Sequence, residues 1–217
     1  MDKITLIQNA IDKADKFESK LSESVKNVPF LGSLKNRALM NNLGELATRY
    51  LECGCHKGGS YCSAVFENKN IISATVVDNF LSDETNVNDK AKPQFLENAK
   101  KFTPTETQFK LIHENSFDVN LSEIAQPIDL YLYDAAHEEE EQCKALTYYA
   151  PAMADEFIFC VDDYGWDEVR KGTKRGIEEA NLEIIKEWDL KTEKECSNES
   201  WWTGMGVFLL KKKIIYE

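Results

Sequence analysis

The sequence predicts an α/β fold with a mostly parallel sheet, on three observations. From Arg49 onward, apolar β-branched runs alternate with stretches of helical period, as in strands joined by crossover helices. The first strand feeds a glycine turn, Glu52-Cys53-Gly54-Cys55-His56-Lys57-Gly58, that opens a helix. Near the C-terminus the alternation stops, and two strand-like runs follow each other with no helix between them.

The elements follow in order. Ile4, Ile7, Ile11, Ala14, Phe17 and Leu21 recur at three- and four-residue steps and predict an amphipathic N-terminal helix. A turn follows at Asn27-Val28-Pro29, and Leu34 to Leu46 reads as helix. Residues 1–46 are expected to form a helical cap before a core domain at 47–217. The cap serves packing or a homodimer contact, or else covers a cleft. Strands are expected at Thr48 to Leu51, Ile71 to Val77, Phe109 to Ile112, Ile128 to Tyr133 and Phe157 to Val161. Helices are expected at Gly59 to Phe66, Lys92 to Phe102, Glu138 to Tyr149 and Trp166 to Ala180. The final pair, Leu182 to Trp188 and Val207 to Lys212, can pair antiparallel through the connection at 191–206.

A chain of 217 residues suits one α/β domain with a full core. The formal net charge of -12 repels phosphate backbones, so no nucleic-acid partner is expected and a small neutral or cationic one fits better. No apolar run approaches the roughly 20 residues of a membrane span. Met1 to Ser24 carries mixed charge without an apolar core, unlike a secretory leader. Six cysteines then point to free thiols in a reducing compartment, the cytoplasm. Cys53, Cys55 and Cys62 with His56 suggest zinc, but they fall on a strand end, a turn and a helix, and no second Cys-x-x-Cys pair completes a tetrahedral set.

The chemistry-bearing residues gather at strand ends. Glycines at 54 and 58 let backbone approach a ligand closely, and the turn's amides with the following helix terminus suit a carboxylate. Asp78 ends the second strand, 26 residues after Glu52, where a bidentate acceptor suits a ribose diol. Asp134 closes the fourth strand, and Asp162 and Asp163 close the fifth. In an open parallel sheet ligands bind beyond the carboxyl ends of the strands, so these carboxylates should converge. Two carboxylates ~4 Å apart repel by about 4 kcal/mol at an effective dielectric near 20. A hard divalent cation such as Mg²⁺ or Ca²⁺ is the simplest remedy. His137, three residues past Asp134, reads as a base or ligand, with a helix-entry histidine bonded to backbone as the alternative.

The spacing Glu-x-Gly-x-x-x-Gly, with Asp78 at the next strand end, resembles the first motif of class I S-adenosylmethionine-dependent methyltransferases. The resemblance spans about Arg49 to Leu210. It implies a Rossmann-like three-layer sandwich, its seven-stranded, mostly parallel sheet ending in an antiparallel hairpin. It also implies a cofactor seat at Glu52, Gly54, His56, Lys57, Gly58, Asp78 and Asn79, completed by Ser116, Phe117 and Asp134. Ser116 is the candidate for the adenine amine, with a helix N-cap as its alternative. Asp134-Ala135-Ala136-His137-Glu138, with Asp162-Asp163 and Trp166, resembles the metal-dependent catechol-, caffeoyl-CoA- and macrocin-type O-methyltransferases. That likeness implies Mg²⁺ or another divalent cation on Asp134, Asp162 and Asp163, and catalysis by His137 and Asp134. The implied acceptor is a hydroxyl of a small molecule, such as a sugar or glycosylated metabolite. Ala136 replaces an acidic residue common in the macrocin group. It favours the alternative of a non-catalytic module that binds S-adenosylmethionine or S-adenosylhomocysteine in a regulatory or partner role. Trp201 and Trp202 are expected either to wall the acceptor or to close the sheet edge.

Overall fold

The computed structural model describes residues 1–81 and 91–213. Its seven strands are β1 (Arg49–Cys53), β2 (Ser73–Val77), β3 (Gln108–Ile112), β4 (Ile128–Tyr133), β5 (Met153–Val161), β6 (Leu182–Leu190) and β7 (Met205–Lys212). They form one sheet in the order β3-β2-β1-β4-β5-β7-β6. The first five run parallel, and β7 lies antiparallel between β5 and β6. The expected three-layer fold with a C-terminal hairpin is therefore the observed one. Central strands such as Ser73-Ala74-Thr75-Val76-Val77 are buried throughout, as sheets covered on both faces require.

Helices α1 (Lys3–Asp15), α2 (Glu23–Lys26), α3 (Leu34–Gly44), α4 (Gly59–Val65) and α5 (Ala91–Phe102) precede β3, and α6 (Glu139–Tyr149) and α7 (Asp167–Glu179) follow β4. Side chains alternate across a strand, so β4 sends Leu130 and Leu132 to one core and Tyr131 and Tyr133 to the other. The first core contains Ile7 and Ile11 of α1, Leu39 and Leu43 of α3, and Phe95 of α5. The second is closed by Leu146 and Tyr149 of α6 and by Val169 and Ile177 of α7. The N-terminal helices thus share one apolar interior with the sheet, and Trp188 of β6 donates its indole N–H to Gln8 of α1 at 2.8 Å.

Some boundaries depart from the periodicity. α1 stops at Asp15, where the amides of Phe17 and Glu18 turn back to the carbonyls of Ala14 and Lys13, both at 2.9 Å. Phe17 takes a left-handed φ of 60° and is 43% exposed, so it leaves the apolar stripe, while Leu21 re-enters the core beyond the helix. α2 is an unexpected single turn that follows Ser22 and is held by the buried Val25. β5 starts at Met153, ahead of the expected Phe157, because Met153 pairs with Ile128 of β4 and the polar Glu156 pairs with Lys211 across the antiparallel ladder. Among the described residues, no helix is long and apolar enough to cross a membrane.

Candidate active site

The sheet brings four chain segments to one edge by continuing its hydrogen bonds past the strand ends. Gly54 N–H donates to Val77 at 2.9 Å, Asp134 N–H to Cys53 at 2.9 Å, and Asp78 N–H to Ile112 at 3.2 Å. Asp162 N–H reaches Tyr133 at 3.2 Å. Asp78, Gly54, Asp134 and Asp162 consequently stand side by side at the mouth of a 760 Å³ cavity.

Gly54 is required where β1 and β4 meet. Its φ is 83°, and a Cβ there would lie 1.9 Å from the Asp134 carbonyl oxygen. The turn after it is fastened by Asp78, whose Oδ2 accepts the amides of Cys55 at 2.7 Å and His56 at 3.0 Å. Asp78 Oδ1 accepts the Phe80 amide at 2.7 Å. A carboxylate oxygen has two acceptor lone pairs, so Oδ2 is filled by its two amides and Oδ1 keeps one for a ligand. Asn79, Ser116 and Phe117 join His56 in the lining, and the Phe117 ring stacks on Tyr133 with centroids 6.4 Å apart. No helix starts at Ser116; the following helical turn is capped by Asn120.

Glu52 lies elsewhere than expected. Its side chain is fully buried behind the turn, accepting Tyr50 Oη at 2.5 Å and Ser60 Oγ at 2.5 Å. Burial pushes its carboxyl up to about 7 despite those two donors. Even-numbered positions of β1 face the inner core, which decides its direction. Lys57 and Gly58 likewise fall outside the cavity wall, where Gly59 and Ser60 stand instead. The Lys57 carbonyl accepts Asn98 Nδ2 at 2.9 Å, and Gly58, with φ 89°, opens α4.

The acidic half is compact. Asp134, Asp162 and Asp163 all border the cavity. Burial, then the charges of Asp162 and Asp163, hold the Asp134 carboxyl well above its ordinary value. Burial, then Asp163, lifts Asp162 to about 8. Asp163 takes a left-handed φ of 54° and accepts the Thr203 hydroxyl through Oδ1. Its Oδ2 lies 2.9 Å from His137 Nε2, and this bond raises the imidazole above its usual pKa. The His137 ring meets Trp166 edge-on at 5.0 Å. One ligand atom each from Asp134, His137 and Asp163 lies within 4.8 Å of the others, the spacing of a divalent-cation site. This trio differs in one member from the expected Asp134, Asp162 and Asp163. Asp162 is 4% exposed and its Oδ1 accepts Asn36 Nδ2 of α3 at 3.4 Å.

Pro29, Phe30, Leu31, Trp202 and Thr203 also line the cavity. Of the two adjacent tryptophans, Trp201 is buried in the inner core and Trp202 borders the cavity. Sequence reading had no signal for Thr203 or Asn36, since polar residues in a loop and inside a helix carry no spacing motif. Asn115 also lines the cavity, and its Oδ1 accepts the Phe117 amide at 3.0 Å.

A parallel sheet reversed at its C-terminal hairpin, with a glycine turn facing an acidic centre across one cavity, is the architecture of a class I methyltransferase. The family model described as a methyltransferase domain matches residues 51–164, and the chain belongs to that family of S-adenosylmethionine-dependent enzymes. Similar solved structures include the SAH-bound methyltransferase PaMTH1 of Podospora anserina, at TM-score 0.65 and 13% identity, covering 99% of this chain and 97% of that one. The O-methyltransferase TomG of Streptomyces achromogenes, involved in tomaymycin synthesis and solved with SAM, has TM-score 0.63 and 13% identity over 97% and 99% of the two chains. An O-methyltransferase from Bacillus cereus in complex with SAH gives 0.56 and 10% identity over 97% and 93%. No curated protein matches the sequence significantly.

Proposed function

We propose that this methyltransferase acts on a hydroxyl of a small molecule with the help of a divalent cation. One observation carries the reading: the Asp134, His137 and Asp163 ligand atoms lie within 4.8 Å of each other in the cavity that the glycine turn and Asp78 also border. Oxygen donors from Asp134 and Asp163 fit Mg²⁺ or Mn²⁺. So does the charge balance, because burial and then neighbouring carboxylates resist ionisation of Asp134 and Asp162. A bound cation would orient the acceptor oxygen and make its hydroxyl more acidic. S-adenosylmethionine supplies a methyl group already activated by its sulfonium.

The chain's own residues do the rest. Asp78 offers the remaining lone pair of Oδ1 to the ribose diol. Phe117 and Tyr133 offer an aromatic face to the adenine, and the turn from Gly54 lets backbone approach the methionine end. His137 is anchored through Nε2 by Asp163, which leaves Nδ1 to take the acceptor's proton, so the cation would rest on the Asp134 and Asp163 oxygens rather than on the ring. Trp166, Trp202 and Leu31 offer apolar surface to the acceptor side. The six free cysteines support a cytoplasmic location.

Calorimetry with S-adenosylhomocysteine, with and without Mn²⁺, is the first test, followed by methyl transfer to sugars, glycosides and catechols. Cofactor binding and EDTA-sensitive methylation of a hydroxyl are expected. Absence of cofactor binding at millimolar ligand, or full activity in EDTA, overturns the respective half of the reading.

A further inference from the structure

We propose that Thr203 is a positioning residue: its hydroxyl locks the Asp163 carboxylate so that Oδ2 faces His137. This rests on the role given above to His137 and Asp163. The Asp carboxylate turns easily about its last torsion, which is broad and two-fold. The contact of Oδ2 with His137 Nε2 at 2.9 Å leaves that plane free to swing. Thr203 Oγ1 supplies the second anchor on Oδ1. Asp163 accepts on both oxygens, so the proton between it and His137 belongs on Nε2.

The backbone around this pair explains why the residue comes from so far along the chain. Gly165 N–H donates to the Thr203 carbonyl at 3.1 Å, and Tyr164 N–H to the Gly204 carbonyl at 3.1 Å. A Cβ on Gly165 would lie 2.2 Å from the Thr203 oxygen, so the two turns are pressed back to back. Three residues next to the hydroxyl–carboxylate contact or forming it have positive φ: Asp163 at 54°, Trp202 at 58° and Gly204 at 96°. Left-handed non-glycine residues cost energy and cluster where structure is held for a task. The backbone bonds hold both turns without the hydroxyl. Its remaining work is to aim the carboxylate, as the outer partners of ligating groups do.

The test uses the full-length protein with Thr203→Val, which keeps shape and loses the hydroxyl, and Thr203→Ser, which keeps it. Thr203→Ala serves if the valine variant fails to fold, and S-adenosylhomocysteine affinity serves as the check on folding. The first readout is the His137 tautomer, from nitrogen–proton correlation spectra in EDTA at alkaline pH, with His137→Gln for assignment. Wild type and Thr203→Ser should show the proton on Nε2, and Thr203→Val should show a mixture. The second readout is Mn²⁺ titration, which Thr203→Val should weaken about tenfold or more and Thr203→Ser by less than about threefold. A Thr203→Val protein with wild-type tautomer, or a Thr203→Ser protein as impaired as the valine variant, overturns the proposal. So does a wild-type His137 without the Nε2 proton. Wild-type protein that shows the tautomer but binds no Mn²⁺ sinks the metal reading and leaves Thr203 in its role.

Discussion

Glu52 and Gly54 stand two residues apart on one strand end and answer to different physics. Gly54 has no room for a side chain, so Gly54→Ala should displace the Asp134 segment. We expect a loss of about 2 kcal/mol or more in urea unfolding and at least tenfold weaker S-adenosylhomocysteine binding. A variant with wild-type stability would show that the close approach is not needed. Glu52 is a buried acid whose native carboxyl sits near 7, above its ordinary 4.5. The native state therefore holds the proton more tightly than the unfolded one. That stabilisation is complete below about pH 4.5 and is lost as pH rises through about 7, for a total of about 3 kcal/mol. Asp162 titrates in the same sense near 8, so the informative quantity is the difference between Glu52→Gln and wild type across pH 5 to 8. The variant's profile should be flatter; an unchanged slope would acquit Glu52. The sequence placed both residues in the right turn, but the direction of the Glu52 side chain depended on which core faces that strand.

Elements meet this site through a few buried polar contacts as well as apolar packing. Arg37 of α3 is 5% exposed and donates to the carbonyls of Val25 at 3.3 Å, Gly59 at 3.4 Å and Val28. Its guanidinium also lies 4.7 Å from the Phe30 ring. One side chain thus ties α2, the Pro29–Leu31 rim and the start of α4 together, even though desolvation lowers its pKa to about 10. Arg37→Met should leave three carbonyls short of a donor and cost about 3 kcal/mol. A drop below about 1 kcal/mol in the unfolding midpoint analysis would assign the work to Phe30 and the apolar neighbours. The strands and most helices were legible because a buried strand is continuously apolar and a half-buried helix repeats every three to four residues. α2 and the early start of β5 were not, since a four-residue turn has no period and polar strand ends are held by cross-strand pairs rather than by burial.

For the molecule as a whole, binding at the shared cavity should appear as stability. S-adenosylhomocysteine at about a hundred times its dissociation constant adds about 2.7 kcal/mol, or roughly 5–10 °C in Tm for a chain of this size. Mn²⁺ should add a further increment that EDTA removes, and Asp163→Asn should abolish only that increment. Thermal melts with each ligand alone and together decide it; a Tm indifferent to Mn²⁺ argues against a cation at the acidic centre. By itself the sequence determined the layered α/β sheet, its reversed final hairpin and the presence of Asp78, Asp134, Asp162 and Asp163 at strand ends, because periodicity and strand termini are local properties of a chain. Only the tertiary structure decided that Asp163 pairs with His137 and Thr203, that Asp162 turns to Asn36, and that Glu52 supports the turn from behind. Those choices depend on which distant groups share a few ångströms, and no local pattern encodes that distance.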